Sequence, residues 1–526
     1  MTMYAVLASA GSSALHAFSR NGRELLFDPA TRTSFELDSV GTSARPLPRL
    51  GPDQQGAEEE PLPTLRALPE LQAAGYFQRR WLTCPPPRRN TSYSVYAILS
   101  RRCNLRCRYC YTRRMSHPAP TDMPLETMQA TARFAAGLAA ASALEGAGVD
   151  VSCAGEVTCH LDLYDRFAEL LRDEGRRAGV QLAPRIWFGT NLTTLGRPEV
   201  ADRLAELEVL ACSLDGPPAA HNRMRVYPNG GRTYRDAKRG LRQLQATGRP
   251  FAVAATLTAA YPDVLAVYQH LLKLGCNSTV VKPVRAEPGQ PFAIWEDLDG
   301  ICHGYSGFAE WLLGLPEAEL VRCLRAILHQ PTSHDYFGRF LQRTMQRSLI
   351  QRRCEAWESL ATVDTDGSLY ACAAMAGLPK AHIGSVWEGV DETSAQDVAQ
   401  TLHISHRSPC NVCWARYLCG GGCPHQSWLT HGALEPPDQS ECQLNQHLIE
   451  LAIWLYSELC RHRPGVLAAL SEPASGPVQA PAVRIRRRSA SPKPQPGKSP
   501  RSVLRGGRNA TERNSAKCPG DRAPPP

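Results

Sequence analysis

The chain has 526 residues, 43% of them hydrophobic and 21% charged, with a formal net charge of +9. That length exceeds one ordinary core, and the composition is that of a soluble globular protein. No stretch approaches the ~20 apolar residues of a membrane helix, and the apolar start lacks the basic region of a secretory signal. The expected compartment is cytoplasmic. The charge is uneven: residues 471–526 hold twelve Lys/Arg against three Asp/Glu, so the preceding 470 residues are neutral overall. That Pro-, Ser- and Arg-rich tail has little to bury and is expected to be disordered. It reads as a solvated extension rather than a nucleic-acid contact.

In chain order, residues 4–38 alternate in short stretches ("YAVLA", "LHAFSR", "RELLFDP", "TSFELDS") that predict small strands with turns at Gly11 and Asp28-Pro29. Residues 41–63 read as loop, and "TLRALPELQAAGYF" as helix. Residues 1–80 are thus a small α+β module. From Tyr93 the pattern becomes strand–helix alternation. Strands are predicted at "YSVYAILS", "VDVSCAGE", "RIWFGTNL", "VLACSLDG", "FAVAATLT" and "STVVKPVR", with five helices between them. Such alternation argues for a parallel sheet, whose sites gather where strands end and loops begin. Residues 301–350 read as a helical linker.

Nineteen cysteines are many for a reducing compartment, where clustered thiols serve metals or catalysis. Cys84, Cys153, Cys159, Cys212, Cys276, Cys302, Cys323, Cys460 and Cys518 are scattered and read mostly as small buried hydrophobes. The other ten fall in two clusters. In "RRCNLRCRYCYT", Cys103, Cys107 and Cys110 have C-x3-C-x2-C spacing in the loop after the first strand. Closed zinc sites want four ligands; here the local count is three, and His117 fits no usual spacing. Arg101, Arg102, Arg106 and Arg108 are expected to favour thiolates and to offset a cluster's charge. Three thiolates suit a [4Fe–4S] cluster with one open iron. A zinc site with a borrowed ligand, or chance crowding, are the competing readings.

C-x3-C-x2-C with Tyr109 before the last cysteine resembles the radical S-adenosylmethionine (SAM) superfamily. The resemblance implies a partial (β/α)6, TIM-like barrel in which SAM occupies the open iron. It also implies cleavage to a 5′-deoxyadenosyl radical that abstracts a substrate hydrogen, with an electron donor such as flavodoxin or ferredoxin. "SCAGEVT" resembles the family's Gly-Gly-Glu segment through Gly155 and Glu156, with Ala154 replacing the first glycine. "FGTNLTTL" resembles its Ser/Thr-Asn-Gly segment through Thr190 and Asn191, with Leu192 in place of glycine. In "SLDGPPAAHNRMR" the resemblance implies a SAM contact for Arg225. Taken singly, each segment is also ordinary turn chemistry.

Cys354, Cys372, Cys410, Cys413, Cys419, Cys423 and Cys442 form the second cluster, with Gly420, Gly421 and Gly422 letting the backbone wrap a ligand. A zinc ribbon is the alternative, but seven thiols suit tetrahedral zinc poorly. The spacing resembles the SPASM domain of peptide-modifying radical enzymes. That resemblance implies one auxiliary [4Fe–4S] cluster on Cys410, Cys413, Cys419 and Cys442. A second falls on Cys354, Cys372 and Cys423, whose fourth ligand is left open. The resulting layout is a module at 1–80 with a possible leader-peptide recognition role, a radical SAM core at 93–300, the linker, a SPASM-like domain at 351–460 and the tail.

The substrate is expected to be a precursor peptide or protein. The first reaction reading is maturation of a ribosomally made peptide through a C–S or C–C cross-link. The second is oxidation of Cys or Ser to formylglycine, as in anaerobic sulfatase-maturing enzymes. Those carry an aspartate after the cysteine matched here by Cys372, where this chain has Ala373; Asp364 and Asp366 are merely close in sequence. A non-catalytic electron-transfer or zinc-binding protein is the reading from another class. No catalytic base is identifiable from the sequence.

Overall fold

A computed structural model describes residues 16–37, 44–50, 92–111, 120–144, 148–186, 190–328, 335–354 and 356–472. The expected strand at "YAVLA", the turn at Gly11, the helix at 64–77, Cys84, His117, Cys518 and the tail beyond residue 472 lie outside them.

Four strands come first: β1 (His16–Arg20), β2 (Arg23–Asp28), β3 (Thr33–Leu37) and β4 (Ala44–Pro46), an antiparallel sheet in sequential order. Three were predicted; β4 falls in the expected loop, because three residues ending in proline carry no alternation to read. Leu25, Leu26, Phe27 and Phe35 are buried in this sheet. It is tied to the helix Gln439–His462 by Arg23 Nε donating to Glu458 Oε1 at 2.8 Å and by His16 Nε2 lying 2.7 Å from Glu450 Oε1.

The barrel strands are β5 (Ser92–Ile98), β6 (Gly148–Ala154), β7 (Arg185–Ile186), β8 (Ala211–Ser213), β9 (Ala252–Leu257) and β10 (Thr279–Pro283). All pairings among them are parallel: β5–β6–β7 in one sheet, β8–β9–β10 in another. A parallel bridge between Ile186 and Val209 joins the two. These are the six parallel strands expected from the alternation, arranged as the partial barrel that the family resemblance implies. Helices Leu125–Leu144, Leu161–Arg177, Tyr234–Ala246 and Val264–Lys273 cover it. The helix expected at 198–207 is shorter, Pro198–Ala201, with turns after it.

Strand alternation decides what faces the inside. Cys212, Val253, Ala255, Leu257 and Val281 join the hydrophobic core shared with the helices. Their neighbours Ser213, Ala254, Thr256 and Lys282 point the other way, so the inner face of β8–β10 is small or polar. Of the scattered cysteines, Cys212, Cys276 and Cys323 are buried as expected, while Cys159, Cys302 and Cys460 are only partly so.

The cysteine-rich part grows directly from the barrel. β11 (Leu360–Val363) pairs parallel with β5, Leu360 opposite Ser94 and Val363 opposite Ala97. β12 (Ser368–Tyr370), β13 (His382–Ser385) and β14 (Gly389–Val390) continue antiparallel, giving one seven-stranded sheet, β14-β13-β12-β11-β5-β6-β7. Among the described residues no helix is long and apolar enough to cross a membrane.

Candidate functional site

The loop after β5 carries the first three cysteines, and the backbone holds it from below. Arg106 N–H donates to Val226 O at 2.7 Å and Arg108 N–H to Met224 O at 2.9 Å. Tyr109, inside the motif, donates its hydroxyl to Asp215 Oδ2 at 2.5 Å. Asp215 Oδ2 also accepts from Arg225 Nε at 3.1 Å, and its Oδ1 from Thr256 N–H at 3.0 Å. The Arg225 guanidinium lies 5.5 Å from the Tyr109 ring centre. Both Asp215 and Arg225 are buried.

On the other side of the loop stand Glu156, Thr190 and Asn191, all buried. Glu156 Oε2 accepts the Asn191 N–H at 2.5 Å. The Asn191 amide donates to Asn104 Oδ1 at 2.9 Å and reaches Cys103 Sγ at 3.8 Å. Gly155 has φ +88, and a Cβ there would stand 2.7 Å from Ser100 O. A side chain is thus barred where the ends of β5 and β6 meet. Leu192, where the resemblance leads one to expect glycine, adopts φ +69, the left-handed region that glycine favours. The structure therefore brings Gly155, Glu156, Thr190, Asn191 and the three cysteines together. Arg225 sits across from them, turned to Asp215.

The expectation about neighbouring arginines needs correction. Arg101 is paired with buried Asp364, and Arg102 with Asp122, while Arg106 and Arg108 are exposed. Desolvation within the folded loop outweighs them, pushing the Cys103 thiol, whose residue is itself exposed, up to about 12 and the partly buried Cys107 to about 11 against the pull of Arg225. Without a metal these thiols stay protonated; a bound metal ion deprotonates its thiol ligands outright. A cavity of about 740 Å³ opens beside Cys107 and Cys110, edged by Arg106, Arg108 and Arg223.

The seven later cysteines fall into two sets. Cys372 lies within electrostatic reach of Cys423 and Cys354. Cys442 lies within reach of Cys419, Cys410 and Cys413. Burial raises the thiol pKa of Cys372 to about 12 and of Cys410 to about 11. Among the described residues no three His, Cys, Asp or Glu stand close enough to hold a single metal ion. Gly420 and Gly421 have φ +76 and +84, consistent with a tightly wrapped loop.

Whether these sets suit an iron–sulfur cluster can be tested on their surroundings. Asn445 Nδ2 donates to Cys419 Sγ at 3.4 Å, and Gln446 Nε2 to Cys413 Sγ at 3.6 Å. Such amide donors suit thiolate ligands. Buried Arg353 and the partly buried Arg285 and Arg343 crowd the same region; Arg285 Nη1 and Arg353 Nη1 have no hydrogen-bond partner. Arg339 is pushed down to about 9, first by burial and then by Arg353. Burying this much positive charge is costly without compensating anions, and a thiolate-ligated cluster is one. The donor set fits.

One residue was missed by sequence reasoning. Lys282 on β10 points into the barrel, with Arg225 and Cys372 both within electrostatic reach. Burial, then Arg285 and Arg339, lower its pKa to about 8. The signal was the single charged residue within "TVVKP", a strand whose other members are uncharged.

Comparison with known proteins agrees with this geometry. Residues 97–262 match the family model described as Radical SAM superfamily. This segment is a radical SAM domain, the core of a superfamily of enzymes. No curated protein sequence matches the chain. Among solved structures, native anSMEcpe with bound AdoMet is similar at TM-score 0.55 and 17% identity, covering 70% of this chain and 98% of that one. The same protein with bound AdoMet and Kp18Cys peptide gives 0.54 and 18%, covering 70% and 99%. Streptococcus suis SuiB bound to S-adenosylmethionine gives 0.44 and 13%, covering 66% and 77%.

Proposed function

We propose that the protein is a radical SAM maturase that modifies a ribosomally made peptide by hydrogen abstraction, forming a C–S or C–C cross-link. The observation that carries this is the placement of Cys103, Cys107 and Cys110 on the loop after β5, beside buried Glu156 and Asn191. Cys103, Cys107 and Cys110 would hold the [4Fe–4S] cluster. Gly155, Glu156, Thr190, Asn191 and Arg225 would meet S-adenosylmethionine, whose cleavage supplies the radical. Cys410, Cys413, Cys419 and Cys442 would hold one auxiliary cluster, and Cys354, Cys372 and Cys423 the other. The chain's own contribution is a polar barrel interior, with Lys282 facing the space where a substrate side chain would sit.

A peptide substrate is supported by the shared fold: the neighbour anSMEcpe has been captured with bound peptides. Formylglycine formation remains the second reading, because that neighbour's fold covers most of this chain. Two features weigh against it. Ala373 stands where the base is expected. Asp364, the nearby carboxylate, is fully buried against Arg101 and the Thr365 N–H at 2.7 Å. An electron donor such as flavodoxin or ferredoxin, and a cytoplasmic location, belong to the same proposal.

The test is co-expression with a short peptide encoded beside the gene, followed by mass spectrometry. The expected product has lost two hydrogens, with fragmentation locating a link between two residues. A peptide unchanged in mass, while S-adenosylmethionine is still cleaved, would move the assignment to protein maturation.

A further inference from the structure

Glu441 touches both auxiliary cysteine sets at once. It precedes Cys442 in the chain, and its Oε2 accepts the N–H of Cys423 at 2.8 Å. Its Oε1 accepts from Tyr336 Oη at 2.8 Å and from Arg285 Nη2 at 2.9 Å, with Arg353 Nη2 at 3.8 Å. The residue is 0% exposed. Its own N–H is anchored by Asp438 Oδ1 at 2.8 Å, the cap of the helix that carries Cys442. The guanidiniums of Arg285, Arg339 and Arg353 lie 5.8, 5.2 and 4.9 Å from the Tyr336 ring centre. A carboxylate locked this firmly is more than a partner for one arginine.

Given the auxiliary-cluster reading above, we propose that Glu441 is a positioning residue shared by both auxiliary clusters, fixing the Cys423 ligand loop and setting the reduction potentials of the two clusters together. A fixed negative charge beside a cluster disfavours adding an electron, and the neighbouring arginines favour it; net charge and hydrogen bonding are the levers a protein has on such potentials. Because one carboxylate lies between the two sets, its charge acts on both.

The experiment uses the full chain in the Cys103→Ala/Cys107→Ala/Cys110→Ala background, reconstituted anaerobically, so that only the auxiliary sets remain. Iron is counted, and both clusters are titrated reductively by electron paramagnetic resonance. About eight iron atoms per chain are expected for two [4Fe–4S] clusters. Fewer than four would overturn the cluster reading itself, and this inference with it. With the iron in place, Glu441→Gln is expected to shift both potentials upward, and Arg285→Gln to shift them downward. Glu441→Asp, which keeps the charge, is expected to restore the original direction. Should neither Glu441→Gln nor Arg285→Gln load iron, Tyr336→Phe decides: it removes one donor from the carboxylate and leaves every charge in place, so both potentials should fall. Potentials that stay put, or a shift confined to one cluster, would overturn the shared role while leaving the cluster reading intact.

Discussion

The hydroxyl of Tyr109 donates to Asp215 Oδ2 at 2.5 Å, binding the tyrosine of the cysteine loop to the carboxylate just past β8. The same carboxylate holds Arg225 at 3.1 Å. Position of the loop and charge of the site therefore depend on one side chain. Asp215→Asn leaves a buried guanidinium short of its anion, a loss of about 3–5 kcal/mol. Tyr109→Phe removes one hydrogen bond, about 1–3 kcal/mol. Iron content and 5′-deoxyadenosine yield should both collapse in the first variant. In the second, iron should be kept and the yield reduced about tenfold, one decade per ~1.4 kcal/mol.

Leu192 and Gly240 are mutually dependent. A Cβ at Gly240 would stand 1.9 Å from Leu192 O, so the helix Tyr234–Ala246 can pass this loop only without a side chain there. In a free helix Gly→Ala gains ~1 kcal/mol. Here overpacking against backbone should reverse the sign and cost about 3 kcal/mol. A thermal midpoint below that of wild type checks this.

His221 brings a pH dependence. Its Nδ1 accepts the Asp215 N–H at 3.3 Å, and its Nε2 lies 3.0 Å from Thr233 Oγ1. Burial lowers its pKa to about 4, below the ~6.5 of the unfolded chain. The unfolded state therefore binds the proton first. The contribution of the neutral ring is fully present above pH 6.5 and is lost as pH falls toward 4. The difference amounts to ~3 kcal/mol at most. The thermal midpoint should fall between pH 7 and pH 5, and His221→Gln should flatten that fall while lowering the midpoint at pH 7.

Lys282→Met tests the barrel interior. The lysine lies on the inner face of β10, and the cysteine loop's anchors do not include it. 5′-Deoxyadenosine should therefore still form in the variant, within about threefold. Modified peptide should fall at least tenfold, about 1.4 kcal/mol or more at the reacting centre. Equal losses of both products would place Lys282 in SAM cleavage instead.

The elements that read well from the chain were those with local patterns. The six barrel strands and the helices between them show in apolar periodicity, and both cysteine clusters in their spacing. What stayed hidden depends on distant pairing. β11 adds in parallel to β5, more than 250 residues earlier, and nothing in "LATV" specifies that partner. The same holds for Arg101 with Asp364 and for Glu441 between two cysteine sets. The arginines beside the cysteines misled because sequence shows charge but neither burial nor prior pairing. Lys282 went unmarked because one lysine in a strand acquires meaning only once its face is known.

The most direct measurement is 5′-deoxyadenosine formed per chain by anaerobically reconstituted, reduced enzyme given S-adenosylmethionine. It is compared with the Cys103→Ala/Cys107→Ala/Cys110→Ala variant. The account predicts product from the wild type and none from the variant, with the iron of the later cysteines retained. No product from iron-replete wild type, or equal product from both, would contradict it.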